Sequence, residues 1–134
     1  MCRKELLEIG CPVAITQDVI RGKWKLVILY LLSDGPMRFS ELQRALPSVR
    51  QGYLTQQLRE LEQDLMINRE VYKVIPPKVE YSLAEMGVRF LKVMKAMREW
   101  GTEYIDYLHR QDDIQFHKTC EGKELFKKQM DSAK

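Results

Sequence analysis

The stretch FSELQRALPSVRQGYLTQQLRELEQDL, residues 39–65, decides the fold. In its first part Ser40 stands three residues ahead of Gln43, the spacing of a capping box. Leu42, Ala45 and Leu46 then supply an apolar side, and Pro47, which lacks the N–H to continue a ladder, stops the helix. After a turn of three or four residues the period resumes, with Leu54, Leu58, Leu61 and Leu65 at spacings of four, three and four along one side of a second helix. The opposite side carries Gly52, Gln56, Arg59 and Gln63, flanked by Tyr53 and Thr55. Two helices joined by a tight turn, the second displaying a polar and cationic face, are what a helix-turn-helix requires.

Immediately downstream, NREVYKVIPPKVEYSL, residues 68–83, changes period. Val79, Tyr81 and Leu83 alternate with Lys78, Glu80 and Ser82, as in a half-buried strand, and the run from Ile67 to Ile75 is rich in Val, Ile and Tyr. Pro76 and Pro77 cannot donate ladder hydrogen bonds, so they belong at a hairpin tip, which is then stiff and projecting, with Lys73 and Lys78 on either side. A hairpin following a helix-turn-helix is a wing.

Upstream, CPVAITQDVI places Pro12 at the first position of a helix whose apolar side is Val13, Ile15, Val19 and Ile20 and which ends at Gly22. KWKLVILYLLSDGP gives a central core helix with Trp24, Val27, Ile28, Leu31 and Leu32 inward and a Ser-Asp-Gly-Pro stop. A last long helix, from about Ala84 to Leu108, carries Phe90, Val93, Met97, Trp100, Tyr104 and Tyr107 at alternating spacings of three and four. That heptad seam exceeds what a small domain needs for its own core, so it predicts self-association. The predicted organisation is an N-terminal arm over residues 1–10, one winged domain over 11–108, and a polar tail over 109–134 with room for a short helix. The fold class is mainly α with a small β-hairpin wing, a winged helix-turn-helix whose N- and C-terminal helices form a dimer interface.

Composition bounds the function. The 134 residues, 45% apolar and 31% charged, suit one soluble domain. The longest apolar run, Leu26 to Leu32, is far below the roughly 18 residues of a membrane span, and the first ten residues lack the apolar middle of a secretory signal. A cytoplasmic protein without membrane contact is expected. Cys2, Cys11 and Cys120 are too few and too scattered for a disulfide framework or a CxxC zinc site, and His117 with Cys120 lacks two further ligands, so no metal and no cofactor are expected. The net charge of +3 is too small to identify a polyanionic partner, so the placement of the bases must decide. There is no phosphate-binding glycine loop, no HExxH and no nucleophile–base–acid set, which argues against an enzyme.

An α-helix fits the major groove, and side chains near its N-terminus reach base edges, so Gln51, Tyr53, Thr55 and Gln56 are candidates for reading sequence, with Gly52 beside them. Arg59, further along, suits a phosphate. Lys73 and Lys78 could straddle phosphates around the Pro76–Pro77 tip, and Arg38, Ser40 and Arg50 could meet the DNA backbone near the turn. Plainer readings stand beside these. Polar helix faces solvate, lysines and prolines protect hairpin edges from pairing, Tyr53 could pack, and Arg38 could be ordinary surface. Met94, Met97 and Trp100 could line an effector pocket between subunits or simply pack, and the sequence names no small-molecule effector.

With these elements in place, CPV, GKW, DGPMRFSELQRALP, LTQQLRELEQD and VYKVIPPKVEYSLAEMG closely resemble the HxlR family of bacterial and archaeal winged-helix transcriptional regulators, relatives of the MarR type, over residues 11–101. The resemblance implies a homodimer on a short inverted repeat in double-stranded DNA, with a recognition helix from Gln51 to about Asp64 and a wing from Val71 to Tyr81. It also implies that Cys11, one residue before the helix-opening Pro12, senses oxidants or electrophiles, with Cys2 or the other subunit's Cys11 as resolving thiol. An inert, buried Cys11 is the other reading. Some positions depart from the family pattern: Arg50, Gln51 and Gly52 stand where members often have Ser-Pro-Lys, and Leu65 stands where a glycine often ends the recognition helix. A winged-helix module that binds only proteins is the alternative function.

Overall fold

The computed structural model describes residues 1–111; the short helix expected around Lys123 to Met130, and Cys120 with it, lie outside the described residues. The chain runs α1 (Arg3–Ile9), α2 (Pro12–Val19), α3 (Lys25–Leu32), β1 (Met37–Arg38), α4 (Phe39–Ala45), α5 (Gln51–Gln63), β2 (Ile67–Tyr72), β3 (Lys78–Leu83), α6 (Glu85–Arg89) and α7 (Leu91–His109). The strands form one antiparallel sheet in the order β1-β3-β2. This is a winged helix-turn-helix, with α4 and α5 as the motif and β2–β3 as the wing.

The core forms where apolar periods from different elements meet. Ile28, Leu29 and Leu32 of α3, Leu42 and Leu46 at α4, Leu54, Leu58 and Leu61 of α5, and Ile67 of β2 are all essentially without solvent contact. Tyr81 of β3 and Phe90 and Met94 complete the cluster. The helix over Pro12–Val19, the central helix, and the pair around Pro47 lie where the sequence puts them, because each has a breaker at its end and an apolar side of the right period.

Local differences have local causes. The N-terminal arm is itself a helix, α1, closed by Gly10 in the left-handed region. Met37 and Arg38 form a two-residue strand paired with Tyr81 and Glu80, so Arg38 is extended and α4 starts directly after it. The cap of α4 is therefore Arg38, whose N–H donates to the Glu41 carboxylate at 3.1 Å, and Ser40 with Gln43 does not form the expected box. Val13 points to solvent instead of joining the apolar side of α2.

Leu65 does not join the leucine row of α5. The helix ends at Gln63, Asp64 caps it, and Leu65 takes φ 61° while remaining 70% exposed. The Leu65 N–H donates to Glu62 O at 3.0 Å and the Met66 N–H to Leu61 O at 2.9 Å, the two bonds of a Schellman ending. A leucine thus occupies the position that favours glycine.

The single long C-terminal helix is broken at Phe90 into α6 and α7. Gly87 of α6 lies so close to β2 that a Cβ there would stand 2.2 Å from the Met66 carbonyl oxygen, which fixes α6 against the sheet. Phe90 then turns into the chain's own core, and it is not part of an outward seam. Beyond Met94, no residue from Lys95 to His109 is buried, so α7 leaves the core as an arm. No helix among the described residues is long and apolar enough to cross a membrane.

Candidate nucleic-acid interface

The outward side of α5 follows from burial of its inward side. With Leu54, Gln57, Leu58 and Leu61 buried, Gln51, Gly52, Tyr53, Gln56 and Arg59 are left exposed, and Thr55 is half-buried. No side chain caps the helix N-terminus at Arg50, and its first turn holds no acidic residue, so the positive end of the helix dipole is unneutralised there. The Thr55 hydroxyl donates to Gln51 O at 2.8 Å, which fixes its rotamer and leaves its lone pairs able to accept. Gln56 Nε2 is 3.4 Å from Glu60 Oε1, a contact weak enough to exchange for another acceptor.

Tyr53 divides between the two roles foreseen for it. The ring is 41% exposed, yet a Cβ on Gly22 would lie 3.6 Å from its hydroxyl and 3.3 Å from Gln57 Oε1. Gly22, at φ 101°, makes the turn between α2 and α3, and the tight neighbour of a Cβ there is Gln57 Oε1, with the Tyr53 hydroxyl at ordinary contact distance. Gln57 Oε1 is buried with no hydrogen-bond partner among the described residues.

Behind the exposed face, α5 is held by charge at two points that its periodicity does not reveal. Lys25, 3% exposed at the start of α3 just ahead of its apolar run, places its Nζ 2.7 Å from Glu60 Oε2 and holds the Glu60 carboxyl below its ordinary pKa. Arg3 of α1 donates twice to Asp64, at 3.0 Å each, and from Nε to Asp18 of α2 at 2.5 Å. That guanidinium, through its hydrogen bond above all, keeps the Asp18 carboxyl below the usual carboxylate range, and the Arg3 pKa is itself raised by both partners. The N-terminal helix is thus tied to the far end of α5.

The wing pairs in unbroken register from Ile67 opposite Leu83 to Tyr72 opposite Lys78, leaving residues 73–77 as the tip. Its two lysines are not equivalent. Lys73 is exposed and makes no ion pair among the described residues, whereas Lys78 lies 3.2 Å from Glu80 and 4.7 Å over the Tyr72 ring. The Tyr72 hydroxyl lies 3.1 Å from Glu70 and 3.4 Å from Glu80; hydrogen bonding to Glu70 and the nearby negative charge push its pKa up. Pro76 and Pro77 are exposed at the tip, as expected.

Two grooves join wing and helices. One of about 520 Å³ lies between α5 and the wing, with Thr55, Arg59 and Glu62 on one wall and Arg69, Val79 and Tyr81 on the other. The other, about 430 Å³, lies between the start of α4 and the wing tip, where Arg38 and Ser40 face Ile75, Pro77 and Lys78. Arg38, Arg50, Arg59 and Arg69 make no ion pair with any described carboxylate. The sequence reading passed over Arg69. Its signal was present, because Arg69 pairs with Tyr81 and so shares the face that Ile67 occupies, an arginine in an apolar alternation.

Away from the grooves, Cys11 is a free thiol of intermediate exposure at the N-cap of α2, and Cys2 is free and exposed at the N-cap of α1. Of the expected seam on α7, Val93 packs partly on the core while Met97, Trp100, Tyr104 and Tyr107 are exposed. Trp100 and Tyr104 stack with ring centroids 4.9 Å apart and planes at 13°. No group of His, Cys, Asp and Glu suited to a metal ion occurs among the described residues.

A family model described as HxlR-like helix-turn-helix matches residues 19–109. The chain is 52% identical over 101 residues to the uncharacterised HTH-type transcriptional regulator YdeP of Bacillus subtilis (strain 168), covering 75% of this chain and 79% of that one. Among solved structures it is similar to the redox regulator HypR in its reduced form, with 49% identity, a TM-score of 0.70, and coverage of 75% of this chain and 99% of that one. A protein of Porphyromonas gingivalis W83 described as a MarR-family transcriptional regulator aligns at 32% identity and a TM-score of 0.65, covering 69% of this chain and 91% of that one.

Proposed function

Because the chain belongs to the HxlR-like helix-turn-helix family, and is a transcriptional regulator of helix-turn-helix type rather than an enzyme, we propose that it acts as a cytoplasmic homodimer that binds an inverted repeat in double-stranded DNA. In each subunit α5 enters the major groove. Gln51 and Gln56 pair with base edges, as glutamine does bidentately with adenine, while Tyr53 and Thr55 offer apolar contact to thymine methyls. Gly52 carries no side chain that would keep the helix from the bases. Arg59, Arg50, Arg38 and Ser40 meet phosphates, with Lys73 as the main cation of the wing and Lys78 the lesser one, since Glu80 already holds it. Met97, Trp100, Tyr104 and Tyr107 of α7 pack against their counterparts.

The observation that carries this reading is the exposed polar side of α5 with its uncapped, acid-free N-terminus, standing beside a wing whose grooves are lined by Arg38, Arg59 and Arg69, none of them ion-paired among the described residues. Duplexes enriched from a random pool by the purified chain test it. Affinity should fall steeply with salt, at a log–log slope of about 0.9 per phosphate contacted, and Lys73→Ala should lower that slope by about one at every sequence. Gln56→Ala should instead relax the preferred sequence. A flat salt response would overturn phosphate docking.

Cys11 is the proposed switch. Its intermediate exposure at the N-cap of α2 disfavours the inert, buried alternative and leaves Sγ within reach of an electrophile, which it bonds with loss of the thiol proton. The similarity to a redox regulator supports the same reading. Diamide, which takes two electrons and two protons from a pair of thiols, should alter duplex binding by the wild type but not by Cys11→Ser; an identical response of both would remove Cys11 from the role.

A further inference from the structure

The tip of the wing has an apolar point that phosphate contacts leave unused. Ile75 is fully exposed, at 102%, and Val74, Pro76 and Pro77 beside it are exposed as well. Burying a side chain of this size is worth about 1.5–3 kcal/mol, none of which is realised within the chain. The tip does not fold back to cover it, because the ladder below runs unbroken to Tyr72 and Lys78 and the two prolines fix their backbone angles.

The surrounding charge indicates what would cover it. Lys73 lies two residues before Ile75 and Lys78 three after, and Arg38 and Ser40 face the tip across a groove of about 430 Å³. An apolar protein partner would have to desolvate these cations, whereas a polyanion is attracted by them. A sugar-phosphate strand held by Arg38 and Ser40 on one side and Lys78 on the other would run along the tip, with the exposed Ile75 at the edge of the adjacent minor groove. There, bulky apolar side chains wedge between base steps and kink the duplex.

We propose that Ile75 is a minor-groove wedge, which partly unstacks one base step flanking the site read by α5 and so selects flexible pyrimidine–purine steps at a position that helix does not touch. This rests on the DNA-binding reading above and adds a specificity residue to it. The energetic source is deformability, since a TA or CA step opens at lower cost than a stiff AA step.

The test uses the full chain and a duplex enriched by it from a random pool, rebuilt with TA or AA at the flanking step that the wing protects in a footprint. Affinity is read by fluorescence anisotropy and bending by energy transfer between end labels. The wild type should prefer TA by about tenfold and bend that duplex. Ile75→Ala should lose both the preference and the bend, and Ile75→Leu should keep them; the side chain is wholly exposed, so neither substitution disturbs the fold. Lys73→Ala should weaken both duplexes equally and leave the preference intact. Should Ile75→Ala retain preference and bend, or the wild type show none, the wedge is overturned and the tip is left to a protein partner. If no duplex is enriched even at low salt, DNA binding itself falls and the wedge with it.

Discussion

Helices α5 and α7 carry the same signature, large apolar residues at spacings of three and four, and come to different ends. The row of α5 is completed inside the chain, where Leu54, Leu58 and Leu61 have essentially no solvent contact. The row of α7 starts in the core with Phe90 and Met94 and then runs out into solvent, so that Trp100 is 62% exposed and stacks on Tyr104 of its own helix. Periodicity shows that a helix side is meant to be covered, but not by which chain. The difference also divides the work. A helix clamped from behind can hold Gln51 and Gln56 at fixed positions, whereas one projecting from the core is free to engage a second copy.

The largest effect should come from cutting into the completed row. Leu58→Ala leaves a cavity under the exposed face of α5 and should lower unfolding stability by about 3–5 kcal/mol, read by urea denaturation. Because that row is satisfied within one chain, the loss should be the same at all protein concentrations. A concentration-dependent loss would place part of the α5 row at a subunit boundary and break the contrast.

Trp100→Ala should act in the opposite sense. Removing a large aromatic residue from the proposed dimer contact should weaken association by about 2 kcal/mol, a roughly thirtyfold rise in dissociation constant by sedimentation, while the isolated subunit stays folded. Unchanged association would mean that the outer part of α7 serves something other than pairing.

How far the sequence could be read follows from the same contrast. The helices around Trp24, Leu42 and Leu54 and the Val79–Leu83 strand were legible because each has a period and a breaker within a few residues. The elements that escaped are too short to show a period. β1 is two residues long and exists through the pairing of Met37 and Arg38 with Tyr81 and Glu80, and α1 is seven residues anchored by Arg3 to carboxylates on α2 and at the cap of α5. Lys25 reads as an ordinary surface lysine ahead of an apolar run, and only folding, which brings Glu60 to it, makes it a buried ion-pair partner. At the candidate interface the outward set on α5 was readable as the complement of its leucines. The inequality of Lys73 and Lys78 was not, because it depends on the pairing that sets Tyr72 opposite Lys78, with Glu80 beside it on the same face of β3.

Leu65 is where the contrast can be sharpened by the smallest change. It continues the leucine row of α5 by spacing, yet it lies past the helix end, 70% exposed and at φ 61°. An L-residue in that region costs about 1–2 kcal/mol, and glycine relieves this while giving back part through the greater freedom of the unfolded chain. Leu65→Gly should therefore raise stability by about 0.5–1 kcal/mol, keep the bonds from Leu65 and Met66 to Glu62 and Leu61, and leave association unchanged. The sign separates two explanations of an exposed leucine. If strain alone governs the site, the gain appears at every protein concentration. If a second subunit covers Leu65 as proposed for Trp100, the glycine variant loses affinity for its partner, and the apolar surface between subunits extends from α7 to the end of α5.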